Sequence, residues 1–198
     1  MQTGGTGQRK ETSVTAELRW RIVVLQVALV VILAFGSGFL YWAANFTHGN
    51  VHDQLIAQNI TFPAADSASI KALPAVDAAA MKQYAGQQMT NGDQAETWAN
   101  HYIKIHLQGI GGGKTYSEVS ALSMASPKNT ALAAEVQTLF RGETLRGLLL
   151  NAWGWWTVGS YALYAAIGLT FAAVVVFLSM IYELFLAPGL RPRDQLVA

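Results

Sequence analysis

Two long apolar runs constrain this chain more than any other feature of its sequence. Residues 22–44 and residues 158–181 contain no charged side chain, and a longer, more polar segment separates them. A helix needs about 20 apolar residues to cross the hydrocarbon core of a bilayer. We therefore expect an integral membrane protein with two transmembrane helices.

The composition agrees with two spans and one modest domain between them. Of the 198 residues, 52% are hydrophobic and 13% are charged, which is too apolar for an ordinary soluble domain and too polar for a many-helix transporter. The predicted fold is all-α, with two transmembrane helices flanking a small extracytoplasmic helical domain. The predicted segments are a cytoplasmic flexible tail (1–21), a first transmembrane helix (22–44), the extracytoplasmic domain (45–152), a second transmembrane helix (153–182) and a cytoplasmic tail (183–198).

The positions of the basic residues predict the orientation in the plasma membrane. Lys and Arg close to the ends of a span are retained on the cytoplasmic side. Both termini are therefore predicted to be cytoplasmic, because basic residues flank both runs: Arg9, Lys10, Arg19, Arg21, Arg191 and Arg193. A cleaved signal peptide is the alternative for the first run. We expect an uncleaved anchor, since signal peptides have apolar regions of only about 7–15 residues.

Charge and cysteine content exclude several classes of function. The net charge is +1 and the basic residues form no cluster, so we expect no nucleic-acid partner. The chain contains no cysteine, which excludes disulfides, iron–sulfur clusters and thiol catalysis. No catalytic motif is recognisable, and the sequence predicts neither a cofactor nor an enzyme. The expected partners are the lipid bilayer and other membrane proteins or further copies of the chain.

Hydrophobic periodicity predicts several helices in the middle segment. In the third of them, Trp98 and Tyr102 share an apolar arc into which His106 also falls. Asp77 and Asp93 are the expected N-caps of the second and third helices, and Ser126 followed by proline is the expected start of a long last helix. The predicted helices cover residues 54–60, 78–89, 94–110 and 117–124.

The last helix has a break in its apolar pattern at Gly142. Its apolar residues before and after that glycine lie on opposite faces of the helical wheel. One interpretation is a separate interfacial helix over 141–152 on the outer membrane surface, and the other is one continuous helix with two apolar sides. The predicted membrane or partner contacts here are Leu145, Leu148 and Leu149.

Small residues recur four positions apart within both predicted spans. Such spacing lets helix backbones approach each other closely. Ala34 and Gly38 in the first span, with Ala162 and Ala166 in the second, are therefore candidate contacts with the other span or with a partner.

The sequence contains one minimal candidate metal site. His48 and His52 are four residues apart, which places both imidazoles on one face of a continuous helix, and Asp53 could add an oxygen ligand. Gly49 and Asn50 between them weaken a helix, and a histidine at the polar membrane interface is the ordinary alternative.

Three stretches resemble a group of small actinobacterial two-span membrane proteins of unknown function. They are residues 90–103, 112–120 and 140–152, and the resemblance extends over most of residues 22–181. Some members of that group are labelled as aromatic-ring-opening dioxygenases. A non-haem iron enzyme of that kind needs clustered His and carboxylate ligands, for which this chain offers only the His48, His52 and Asp53 set.

These observations lead to three hypotheses of function. The first is a non-enzymatic accessory or scaffolding subunit of a cell-envelope membrane complex. The second is an extracytoplasmic ligand-sensing module, which would need a separate signalling partner. The third is a metal-dependent enzyme.

Overall fold

The computed structural model describes residues 5–186, with side chains for residues 17–185, and this part of the chain is all-helical as predicted. Within it, the only extended pairing is a single antiparallel bridge between Thr61 and Gln88. The predicted tail residues 1–4 and 187–198 lie outside the described part. The elements are α1 (Gly5–Ala57), α2 (Ala68–Lys71), α3 (Ala75–Lys82), α4 (Gly92–Trp98), a first π-helical turn (Ala99–Ile103), α5 (Lys104–Ile110), α6 (Tyr116–Ala125), α7 (Thr130–Ile181) and a second π-helical turn (Tyr182–Leu186).

Helices α1 and α7 contain the two predicted spans. Both are long and apolar enough to cross a membrane. Their most apolar windows are only 11% and 6% buried, whereas a core helix of a soluble protein would be mostly buried. Length, composition and exposure of the two helices are thus consistent with a membrane protein.

Helix α1 extends beyond the predicted span at both ends. It begins at Gly5, so residues 5–21 of the predicted flexible tail are helical. It also continues past Gly49 to Ala57, where a separate helix over 54–60 was expected. A nucleated helix adds further residues at little cost. At the second end, burial of Val51 and Leu55 outweighs the weak helix propensity of Gly49.

The chain forms two compact units, which we call the helix pair and the central domain. The helix pair comprises Met1–Ala43 and Ala162–Ala198, and the central domain is Ala44–Tyr161. Within the helix pair, the Ser37 hydroxyl donates a 2.9 Å hydrogen bond to the Ala166 carbonyl oxygen and lies 2.6 Å from Oγ1 of Thr170. Hydroxyl contacts of this kind join helices in apolar surroundings, where no water competes for them.

The core of the central domain is centred on Phe62. This side chain is 1% exposed, and its ring lies 5.0 Å from that of Trp98 in an edge-to-face arrangement and 5.3 Å from that of Tyr84. Burial, together with the nearby carboxylates of Asp93 and Glu96, raises the pKa of Tyr84. The rest of this core is Val51, Leu55, Ile70, Leu73, Ala78, Met81, Met89, Ala95, Ala99 and Leu149.

Helices α3 and α4 begin three and two residues earlier than predicted. Helix α3 begins after Pro74, which leaves Asp77 in the first turn rather than at the N-cap. Its carboxylate instead lies 2.8 Å from Nδ1 of His101. Helix α4 is capped by Asn91 and not by Asp93: the Asn91 side chain accepts a hydrogen bond from the backbone N–H of Gln94. Several neighbouring polar residues can act as the N-cap of a helix, and the tertiary contacts determine which of them does.

Side-chain caps also determine where α6 and α7 begin. Thr115 and Glu118 form a reciprocal capping box at the start of α6. The hydrogen bonds from Thr115 lower the pKa of the Glu118 carboxyl group. Helix α7 begins at Thr130, and the Asn129 side chain accepts a hydrogen bond from the Leu132 amide. The predicted start at Ser126 is therefore wrong by a few residues.

The first π-helical turn changes which face of the following helix is buried. Ala95, before the turn, and Ala99, its first residue, are fully buried, as the predicted apolar arc requires. After the turn Leu107 is buried, whereas His106 is exposed and Ile110 is 43% exposed, although both were predicted to lie in the apolar arc. One extra residue in a turn rotates everything downstream by about 100° relative to a regular α-helix.

Helix α7 runs through Gly142 without interruption, so 141–152 is not a separate helix. The apolar face of α7 changes at Gly142 because the helix packs against different residues before and after it. Before Gly142, Leu139 packs with Leu107 and Val119, whereas after it Leu149 packs in the main core. A methyl group at Gly142 would lie well inside van der Waals distance of the Leu107 side chain. The glycine is there because Leu107 occupies the space that a Cβ would need.

Two glycine substitutions in α7 should therefore have opposite effects. Gly147→Ala meets nothing within 4 Å and should raise the free energy of unfolding by up to about 1 kcal/mol through helix propensity. Gly142→Ala should lower it by about 1 kcal/mol, because overpacking against Leu107 outweighs the same gain. Thermal unfolding of the full-length protein in detergent measures both. Equal stability of the two variants would contradict the close approach of Leu107.

Candidate functional site

The two candidate metal-binding histidines do lie on one face of α1, but each contacts a different part of the central domain. Nε2 of His48 lies 3.0 Å from the Trp156 carbonyl oxygen, and its ring stacks on the Trp156 indole with 4.1 Å between centroids. Nδ1 of His52 lies 2.9 Å from the Thr90 carbonyl oxygen. A carbonyl oxygen only accepts hydrogen bonds, so Nε2 of His48 and Nδ1 of His52 each carry a proton and donate it.

These contacts give the histidines a packing role. Asp53 is exposed to solvent beside them. Among the described side chains, no group of three or more His, Cys, Asp or Glu residues is placed to hold a metal ion. The structure therefore does not assemble the metal site predicted at His48, His52 and Asp53. Spacing along α1 identified the shared face correctly but could not identify the carbonyl groups opposite it.

The central domain contains a groove of about 590 Å³ between α1 and α7. Its volume lies in the range of about 300–1,000 Å³ that is typical of small-molecule sites. We call it the apolar groove. Its lining residues are Phe46, Thr47, Asn50, Val51, Gln54, Leu55, Gln58, Ile60, Trp98, Ile103, Leu145, Leu148, Leu149, Asn151, Ala152 and Trp155.

The α7 wall of the apolar groove contains all three leucines predicted as contact residues. Leu145 is 57% exposed and Leu148 is 62% exposed, whereas Leu149 is 8% exposed and belongs to the core. Trp155 extends the same wall and is also exposed. Spacings of three and four residues place these side chains on one helical face. This wall is therefore mostly apolar, with Asn151 as its polar residue, and Leu149 connects it to the core.

The α1 wall combines apolar and amide side chains. Val51 and Leu55 are buried in the core beneath it. Asn50, Gln54 and Gln58 recur every four residues along the exposed edge, and the Gln54 amide donates a hydrogen bond to Oδ1 of Asn50. Each amide offers both donors and acceptors without carrying a charge.

The third side of the apolar groove is formed by Trp98, the residue before the first π-helical turn, and Ile103, the last residue of that turn. Residues five apart diverge by about 140° on a regular α-helix. A π-helical turn closes its hydrogen bonds between residues five apart and so brings them closer to the same side. Helical periodicity places both residues in the apolar arc of the third predicted helix, but it does not indicate that this arc borders a groove with α1 and α7.

The candidate small-residue contacts lie in the helix pair and differ in how exposed they are. Ala166 is 2% exposed and lies against Ser37, while Ala162 is half-buried. Ala34 and Gly38 lie on an exposed face, and a methyl group at Gly38 would meet nothing within 4 Å. Contact of these two residues with lipid or with a partner stays a prediction.

Comparison of the chain with protein-family models, with curated proteins and with solved structures finds no match. The resemblance to small actinobacterial membrane proteins therefore stays a prediction.

Proposed function

We propose that this protein is a non-enzymatic, two-pass protein of the plasma membrane that serves as an accessory subunit of a cell-envelope complex. In this proposal both termini are cytoplasmic, and the extracytoplasmic central domain holds an apolar ligand for that complex. The observation that carries the proposal is the apolar groove, in which Leu145 and Leu148 are exposed above a packed core. Exposed apolar concavities of this size are typical of binding sites.

Selective labelling of single cysteines tests the orientation, because the natural chain has none and contributes no background. Ser126→Cys places a thiol on an exposed residue of the central domain, and Gln195→Cys places one in the predicted cytoplasmic tail. A membrane-impermeant maleimide should label Ser126→Cys in intact cells and Gln195→Cys only after lysis. The reverse pattern would refute the proposed topology.

Extraction of the full chain from native membranes in mild detergent tests the subunit role. The protein should migrate as part of an assembly larger than its own 21.4 kDa. Recovery only as a free monomer would contradict this part of the proposal and leave the topology unaffected.

One observation favours the ligand-sensing module as a second candidate. Helices α1 and α7 each contribute a wall of the apolar groove and each contain a predicted span. Within the helix pair, Nε2 of Gln26 lies 3.4 Å from Oγ of Ser179, so cysteines at these two positions should be joined by a short bifunctional maleimide. A cross-linking rate that changes when the groove is filled would favour sensing. An unchanged rate would favour the accessory subunit.

A further inference from the structure

We infer that the apolar groove binds a membrane lipid whose headgroup is polar but uncharged, of the diacylglycerol or glycosyl-diacylglycerol class. This inference rests on the proposed function and names the ligand of the same site.

The lining of the groove argues against a charged ligand. All its lining residues belong to the described part of the chain, and none has an ionisable side chain. A phosphate or carboxylate seated there would lose part of its hydration without gaining a counter-charge, which is unfavourable. An uncharged headgroup does not carry this cost.

The amide side chains of α1 match hydroxyl-bearing headgroups. Asn50 and Gln54 are spaced by about 6 Å along α1, because four residues of helix rise about 1.5 Å each, and Gln58 follows directly after the end of the helix. The amides donate and accept hydrogen bonds, and so do the hydroxyl groups of glycerol and sugars. These amides can therefore contact the hydroxyl groups of a headgroup or the glycerol backbone.

The opposite wall suits an acyl chain. Leu145, Leu148 and Trp155 present exposed apolar surface along α7 and line the same groove as the amides. Apolar side chains predominate on the α7 side, where Asn151 is the one amide in the lining, whereas three amides line the side of α1. An amphiphile, which has an apolar part and a polar part, matches such a groove better than a uniformly polar metabolite does.

The sequence positions of the walls identify the bilayer as the source of the ligand. Phe46 lies two residues beyond the predicted span 22–44, and Trp155 lies within the predicted span 153–182. Exposed tryptophan is typical of the interface between lipid and water. A lipid of the outer leaflet could therefore enter without crossing water. A soluble protein partner would have to displace lipid headgroups to reach the same surface.

Photolabelling of the full-length protein in phosphatidylcholine nanodiscs tests the inference. Each preparation contains one probe with a diazirine in its acyl chain: a diacylglycerol, a glucosyl-diacylglycerol or a phosphatidylglycerol. Mass spectrometry should locate adducts of the two uncharged probes within residues 46–60 and 145–155, about tenfold more abundant than those of the anionic probe. Equal labelling by all three probes, or labelling confined to residues 22–44 and 162–181, would overturn the inference.

Two matched variants separate the groove from bulk lipid contact. Leu148→Arg introduces a charge at an exposed position of the groove and should reduce groove adducts about tenfold while leaving span adducts unchanged. Leu122→Arg makes the same change at an exposed position of α6 that does not line the groove, and labelling should not change. An equal loss in both variants would overturn the inference.

The headgroup has a test of its own. Gln54→Leu removes one amide and adds apolar surface, so labelling by diacylglycerol should persist while labelling by glucosyl-diacylglycerol falls. Cross-linking between two copies in place of lipid adducts would show that a second copy fills the groove, which contradicts the inference. The nanodisc result does not depend on orientation in cells. Failed photolabelling with correct cysteine labelling would therefore reject the lipid and retain the proposed function.

Discussion

Phe62→Ala should lower the free energy of unfolding by about 3–5 kcal/mol, the usual cost of removing a buried aromatic ring. Phe62 is 1% exposed and contacts the rings of both Trp98 and Tyr84, so its loss leaves a cavity that several elements border. Its own backbone is fixed by hydrogen bonds with Gln87 and Gly86, which limits how far the neighbours can collapse. Small domains have little stability to spare, and this variant should be largely unfolded at physiological temperature.

Thermal unfolding of the full-length protein, followed by near-ultraviolet circular dichroism, measures this loss. Phe140→Ala is the matched control, because it removes the same side chain from a position that is 51% exposed. The control should change stability by about 1 kcal/mol or less, including the loss of its ring contact with Tyr116. Similar effects of the two substitutions would contradict the placement of Phe62 at the centre of the core.

Gly92→Ala should lower the free energy of unfolding by about 1–3 kcal/mol, although it adds only one carbon. That carbon would lie 2.5 Å from Cγ of Trp156 and still nearer to its Cβ. The Cβ of a tryptophan is attached to the backbone and cannot move aside by a rotamer change. Helix α4 or α7 would have to shift within the central domain.

The same substitution has a spectroscopic readout. Displacement of Trp156 should disturb its stacking on His48 and change the near-ultraviolet dichroism of the folded state. Gly109→Ala is the control, since a methyl group there meets nothing within 4 Å. A Gly92→Ala variant with wild-type stability and an unchanged spectrum would show that α4 and α7 are not in such close contact.

Features that depend on composition over many residues were predictable. The apolar runs indicated two long helices, and the structure contains both within α1 and α7. The all-α class followed from helical periodicity, and the buried positions Ala95 and Ala99 followed from the apolar arc. In each case many residues contribute to one signal, so errors at single positions average out.

Features that depend on a single turn or on a distant neighbour were not predictable. The π-helical turn at Ala99–Ile103 changes the buried face, so that His106 is exposed although the predicted apolar arc included it, and a single helical period cannot place such a turn. Likewise, the spacing of His48 and His52 indicates a shared face but not the carbonyl groups that they contact. The change of apolar face at Gly142 was visible in the sequence, but the close approach of Leu107 to this glycine was not.

Leu149 belongs at once to the hydrophobic core and to the floor of the apolar groove. Whatever fills the groove therefore shields part of the core from water, and a ligand that binds only the folded form adds to its stability by mass action. The thermal stability of the purified protein should then depend on the detergent used to extract it. Harsh extraction that strips bound amphiphiles should yield a more heat-labile preparation, and adding them back should restore its resistance to heat.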